Sequence, residues 1–303
     1  MANKKANQRR CILSLLPAAV LVGGILLYPS IMTIRYSFYS WRGFQLGEFV
    51  GLENYVAIFA DRAFLNTRNL LRFPNAYPPF GALIHSLIWT VLFVPGTLVL
   101  GLTFAVQTRR LPGKTIAKLM FLLPMSVPMV VGGIIVHFMV DERAGLVNAI
   151  LRTFGPAGVT QTWTNNPNTA LLVLIAGSIW IFSGLTMLIY AAGLETIPDE
   201  LDHAAQLDGA NRWQIFSRIT FPILSPSHRT AVILMVIWSF KVFDLVYAAT
   251  LGGPGQSSTV LGMLLFSRTF YHYRVGEGLA IGAILTVIGV GLSMLMLMKK
   301  QPD

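Results

Sequence analysis

Two groups of ionisable residues stand out in this sequence. Lys241 and Asp244 lie three apart in the run Trp238-Ser239-Phe240-Lys241-Val242-Phe243-Asp244-Leu245-Val246-Tyr247, which is otherwise largely apolar and aromatic. On one helix that spacing puts a cation and a carboxylate on the same face. A charge set among hydrocarbon must be paired or face a polar cavity. Two readings stay open: an ion pair that closes helix packing, or one wall of an internal path with the flat faces of Trp238, Phe243 and Tyr247 beside it. Trp180, Ser183 and His137 offer aromatic or polar groups of the same kind in other apolar runs.

The second group is the segment 195–222, which holds Glu195, Asp199, Glu200, Asp202 and Asp208 out of 13 acidic residues. Elsewhere the chemistry is sparse. No Gly-x-x-x-x-Gly-Lys-Ser/Thr phosphate loop is present, and Gly252-Gly253-Pro254-Gly255 signals a turn instead. This chain is therefore not an ATPase of that type. The 5 histidines, at 85, 137, 203, 228 and 272, form no pair at metal-ligand spacing. The single cysteine, Cys11, excludes an intrachain disulfide. No Ser-His-Asp set and no paired carboxylates suggest catalysis, so no metal, cofactor or catalytic residue is expected on this chain.

The elements that position these residues follow from composition. Of 303 residues, 54% are hydrophobic and 12% charged, and mean hydropathy is +0.63. A soluble domain carries roughly 25% charged residues, and disorder needs high charge with little apolar content. Both classes are excluded. The net charge of +10 is scattered between apolar runs and forms no stripe, which argues against nucleic acid as a partner. Six runs have the length of a membrane span: 11–34, 81–106, 119–140, 170–193, 230–249 and 278–298. The first is 24 residues without a clear cleavage site, so it reads as an uncleaved helix and not as a signal peptide. Basic residues gather at Lys4, Lys5, Arg9, Arg10, at Arg109, Arg110, Lys114, Lys118, and at Lys299-Lys300. By the positive-inside rule these segments are cytoplasmic. The expected fold is an all-α polytopic membrane protein. Cytoplasmic tails 1–10 and 299–303 flank one six-helix domain, 11–298, and 195–226 is a cytoplasmic loop.

That loop carries its own helical signals. Pro198 suits a first turn, with Asp199 and Glu200 complementing the helix dipole. Leu201, Ala204, Ala205 and Leu207 give a small apolar face. Gly209 ends the helix and suits positive φ. Asn211 caps a second helix, along which Trp213, Phe216 and Ile219 recur until Pro222 stops it. The pair is either a surface element packed on its own bundle or a docking element for a partner.

At these residues the sequence resembles a known family. Ala204-Ala205-x-x-Asp208-Gly209-Ala210, followed by Phe216 and Pro222, is similar to the EAA loop of ABC-importer permeases. The longer form, Ile197-Pro198-x-Glu200-Leu201 through Pro222 and Pro226, resembles the carbohydrate-uptake, maltose-permease-like branch. His203 stands where that motif usually has Glu. Phe49-Val-Gly-Leu-Glu-Asn-Tyr55 resembles the family's FxGLxNY segment. Leu251-Gly-Gly-Pro254 with Ser257-Ser258-Thr259 resembles its TxGGP…ST loop, and Gly145-Leu-Val-Asn148 with Trp163 its third outer segment.

The resemblance implies a type I ABC-importer permease in a prokaryotic cytoplasmic membrane. Such a chain forms half of a translocation pathway for a sugar or oligosaccharide. Its implied partners are a second permease subunit, two ATP-binding subunits that use ATP and Mg, an extracytoplasmic solute-binding protein and membrane lipid. Glu200, His203, Ala204, Ala205, Asp208, Gly209, Ala210, Phe216 and Pro222 then couple to the ATP-binding subunit. A glycerol-phosphate diester or polyol is the alternative solute, and a membrane scaffold or lipid-modifying enzyme the alternative class.

Overall fold

The computed structural model describes residues 17–18, 20–72, 77–109, 111–156 and 158–298. The two expected tails, the start of the first apolar run, and Arg110 lie outside the described residues. In chain order the elements are α1 (Val20–Tyr36), β1 (Tyr39–Arg42), β2 (Gln45–Phe49), α2 (Glu53–Ala60), α3 (Thr67–Leu70), α4 (Ala82–Arg109), α5 (Lys114–Ser126), α6 (Met129–Met139), α7 (Leu146–Phe154), α8 (Ala170–Glu195), α9 (Asp199–Leu207), α10 (Arg212–Ile223), α11 (Ser225–Lys241), α12 (Asp244–Thr250), α13 (Leu261–Phe266) and α14 (Val275–Met298).

α4, α8 and α14 are each long and apolar enough to cross a bilayer. They match three of the six expected runs. The run 119–140 is not one straight span. α5 and α6 meet at 99° because Val127, next to Pro128, is forced into extended geometry (φ −78°, ψ 133°). The run 230–249 is also divided. α11 ends at Lys241 and α12 begins at Asp244, with Val242 extended between them. α10 and α11 form a second bent pair, at 67°. The described part of the first run, α1, is a shorter apolar helix.

The described chain forms two compact units. The first holds the residues up to Ala60 with Leu264–Val290. Here α1 runs into an antiparallel hairpin, β1 against β2, with Gly43 at positive φ in its turn. The expected all-α fold thus carries one small hairpin. The Phe49–Tyr55 motif fixes it: Asn54 Nδ2 donates to the carbonyls of Ser37 and Tyr39, at 2.8 and 2.9 Å, and Tyr55 OH meets Ser37 Oγ at 2.6 Å. Arg268 and Arg274 both reach Glu277 at the start of α14, at 3.6 and 3.4 Å.

The second unit holds Asp61–Met263 and the described residues from Gly291. Its centre is the pair α4 and α8. Apolar packing between membrane helices competes with equally apolar lipid, so close approach depends on small residues. A Cβ at Gly101 would strike the Thr186 side chain and stand 2.7 Å from Met187 N; one at Gly96 would meet Ile179. Thr186 Oγ1 crosses the seam to donate to Thr97 O at 2.7 Å. Around this seam Trp89, Phe93, Leu174, Ile175, Ile181, Met235 and Val246 form the core.

The seam makes one substitution behave oppositely at two helical glycines. A Cβ on Gly24 would have nothing within 4 Å, whereas Gly101 is closed off. Gly24→Ala leaves the thermal midpoint in detergent unchanged or slightly raised. Gly101→Ala lowers it by an amount corresponding to about 1–3 kcal/mol of overpacking. Equal midpoints would show that the seam has room.

Candidate functional site

The corner between α9 and α10 is built from local hydrogen bonds. Pro198 stands extended just before α9, so the helix proper begins at Asp199. At the other end Gly209 has φ +81°. Its N–H donates to Gln206 O at 3.1 Å, and Ala210 N–H donates to Ala205 O at 2.9 Å. These two bonds are a complete Schellman closure. Two residues on, Asn211 Oδ1 accepts from Gln214 N–H at 2.9 Å while Gln214 Oε1 accepts from Asn211 N–H at 2.8 Å. This reciprocal capping box starts α10. A methyl group on Gly209 would meet nothing within 4 Å.

Glu200, His203, Ala204, Asp208 and Pro222 are exposed; Ala205, Ala210 and Phe216 are half-buried. Leu207 is 90% and Trp213 71% exposed. The Trp213 and Phe216 rings lie 5.7 Å apart, and Phe216 faces Phe221 at 6.0 Å. One expectation fails: Pro222 does not stop the second helix. A wide turn spans Phe216–Thr220, with Phe221 N–H bonded to Phe216 O. The ladder has already shifted register where the proline ring enters, so the helix continues to Ile223 before it bends.

The second candidate is the break after α11. Lys241 is the last residue of α11 and Asp244 the first of α12, so they do not share a helix face. Among the described residues no ion pair joins them. Each charge sits at the helix end that favours it, the cation at a C-terminus and the carboxylate at an N-terminus. Lys241 Nζ lies 5.5 Å from the Trp238 ring centroid. Trp238, Lys241, Phe243 and Asp244 line one cavity of about 30 Å³ together with Trp89, Phe93, Ser178 and Phe182. Phe182 packs on Trp238 at 4.9 Å and on Phe93 at 5.4 Å. The other expected residues lie apart from this cavity. Tyr247 packs on Phe243 at 5.4 Å without lining it. Ser183 donates to Trp180 O on its own helix at 2.8 Å. Trp180 lines a separate apolar cavity of about 460 Å³ with Val136, Met139 and Gly177. His137 meets Thr164 Oγ1 at 3.0 Å.

Two polar hubs lie outside the expected site residues, and the second joins the Asn148 and Trp163 of the third outer segment. His85 is fully buried, with Nδ1 2.9 Å from Thr259 O and Nε2 accepting from Phe80 N–H at 3.0 Å. The Phe80 donation makes Nε2 the acceptor, so Nδ1 carries the proton. Asn148 is fully buried and gathers the carbonyls of Val140, Asp141 and Gln161 on its amide, while its Oδ1 accepts from Trp163 Nε1 at 3.0 Å. Beside it, the N–H groups of Ala144 and Arg143 hold the Asp141 carboxyl below its usual range.

Against known proteins, residues 97–300 match the family described as binding-protein-dependent transport system inner membrane component. A probable ABC transporter permease protein of Pyrococcus horikoshii is 40% identical over 294 residues, covering 95% of this chain and 96% of that one. The sulfoquinovosyl glycerol transport system permease protein SmoG of Agrobacterium fabrum is 33% identical over 284 residues, covering 92% and 86%. A solved structure is also similar. One chain of a bacterial alginate ABC transporter, crystallised with an alginate pentasaccharide-bound periplasmic protein, aligns with TM-score 0.75 at 18% identity over 97% of this chain and 94% of that one.

The helix break predicts that Lys241 and Asp244 act independently. In a double-mutant cycle, Lys241→Ala and Asp244→Ala shift the unfolding free energy additively, to within about 0.5 kcal/mol. An ion pair would instead make the double variant milder than Asp244→Ala alone. Thermal unfolding in detergent decides between the two.

Proposed function

The chain belongs to the family of binding-protein-dependent transport system inner membrane components, and on that premise we propose that it is the permease half of a carbohydrate importer. As an ABC transporter permease it is a membrane transport subunit. The finer reading is that it pairs with a second permease and takes solute from an extracytoplasmic binding protein. Two ATP-binding subunits bind ATP and Mg and hydrolyse the nucleotide, while this chain holds no cofactor. The termini and the 195–226 loop face the cytoplasm of a prokaryotic cell.

The observation that carries this reading is the corner at Asp208-Gly209-Ala210. It ends a charged helix, and Leu207 and Trp213 stand exposed on either side of it. Apolar side chains on a polar segment are stable there when a partner covers them. An ATP-binding subunit is such a partner. Support for a carbohydrate comes from the Agrobacterium relative, named for sulfoquinovosyl glycerol, and from the aromatic wall of Trp238, Phe182 and Phe243 around the break. A second reading has its own support. Lys241 has no carboxylate in ion-pair contact among the described residues, which favours an anionic solute such as a glycerol-phosphate diester.

The coupling reading is tested at Gly209. A valine there disfavours positive φ by roughly 1 kcal/mol or more. Gly209→Val inserts normally, since no span is touched. It loses the ATP-binding subunit on purification, and the reconstituted complex loses ATPase stimulation by its binding protein. Parent-like subunit stoichiometry would reduce the loop to a linker.

Orientation is tested by labelling. With Cys11 replaced by Ser, a cysteine at His203 reacts with an impermeant maleimide only after the cells are permeabilised. Labelling in intact cells reverses the topology.

A further inference from the structure

A docking knob transmits force only if something ties it to the spans. The tie cannot be hydrophobic in α9, where the one buried side chain is Asp202. Leu201 is 41% and Leu207 90% exposed. An ordinary surface helix docks through an apolar stripe; α9 docks through charge. Arg109, the last residue of α4, places Nη2 2.7 Å from Asp199 Oδ1 and Nη1 3.5 Å from Asp202 Oδ2. Nη2 also donates to Ile197 O at 3.5 Å. Three acceptors within 197–202 thus converge on one guanidinium, whose planar fork a lysine cannot reproduce. Lys118 of α5 adds a tie to Glu195 at 3.0 Å. Cavities of about 560 and 280 Å³, each lined by Arg109 and Asp202, lie beside this contact. Just before α9, Ile197 is buried in an apolar cluster with Ala105 and Leu194; within α9 itself the buried contact is the ion pair. At its other end α9 meets Gly209 with open space around it.

We infer that Arg109 is a positioning residue for energy coupling: its contacts with Asp202 and Asp199 make α9 and the end of α4 move as one body when the ATP-binding subunits close, while the Gly209 corner supplies the compliance. The inference rests on the coupling reading above for the source of the movement. It does not rest on it for the tie itself. Removing the guanidinium takes away its contacts with Asp199 Oδ1, Asp202 Oδ2 and Ile197 O, which join α9 to the end of α4.

The test uses the assembled complex in lipid nanodiscs, with Cys11→Ser and spin labels at Gln107→Cys in α4 and His203→Cys in α9. Distances are read by double electron–electron resonance without nucleotide and after trapping with ATP and vanadate. In the parent the distribution is narrow and unchanged by trapping. Arg109→Ala broadens it, and trapping then shifts it. Arg109→Lys, which keeps the charge and loses the fork, is intermediate. A parent distance that shifts on trapping overturns the inference, as does a parent-like width in Arg109→Ala. If Arg109→Ala fails to assemble, a parent-like width in Arg109→Lys overturns it equally. Gly209→Val separates this from the coupling reading. If that variant keeps its ATP-binding subunits, the coupling reading falls, and the nucleotide-free widths still decide whether Arg109 holds α9.

Discussion

Hydrocarbon offers no hydrogen bonds, so each backbone N–H and C=O inside the bilayer must find its partner within the protein. Much of the second unit follows from that constraint. α8 meets it with a continuous helical ladder, and α4 does so apart from the bond that Pro95 cannot donate; their contact is free to use glycine and threonine instead of bulk. Where the ladder is interrupted, protein closes in. The break at Val242–Phe243 lies against Gly262, where even a Cβ would stand 2.9 Å from Val242 O. The loop after α12 knots on itself: Thr259 Oγ1 donates to Gly252 O and Ser258 Oγ to Gly253 O, at 2.9 and 2.7 Å. His85 and Ser86 at the start of α4 then take up Thr259 O and Leu261 N–H.

The same constraint sets the character of the cavity. A break in a helix creates two new ends, and helix ends tolerate charge of opposite signs. Lys241 and Asp244 occupy those ends. A sequence that looked like a buried ion pair is instead two separate charges, each held by its own helix terminus and each turned to one aromatic-lined space.

What was legible in the sequence divides by range. The corner at Gly209 was readable because its signals are local: a proline before the helix, a glycine at its end and an asparagine at the next start. The apolar runs gave α4, α8 and α14 by length alone. The bend at Pro128 has a local cause that a count of apolar residues overlooks. The break after Lys241 has none, since Val242 and Phe243 are ordinary helix residues; it lies against Gly262, about twenty positions away. Arg109 looked like one more topogenic cation, and its role emerges only when α9 folds back to it. The hairpin was hidden because the Phe49–Tyr55 motif works through Asn54, whose carbonyl partners precede it in the chain.

The Schellman closure and the capping box share a further property. Every bond in them joins residues no more than five apart, and a side chain at Gly209 would touch nothing else. The bend therefore owes its shape to a few consecutive residues and not to the bundle beneath it. Such a corner is portable. Transplanted onto the loop of another membrane helix pair it keeps its geometry, so partner choice can evolve on the faces of α9 and α10 without redesign of the spans that carry them.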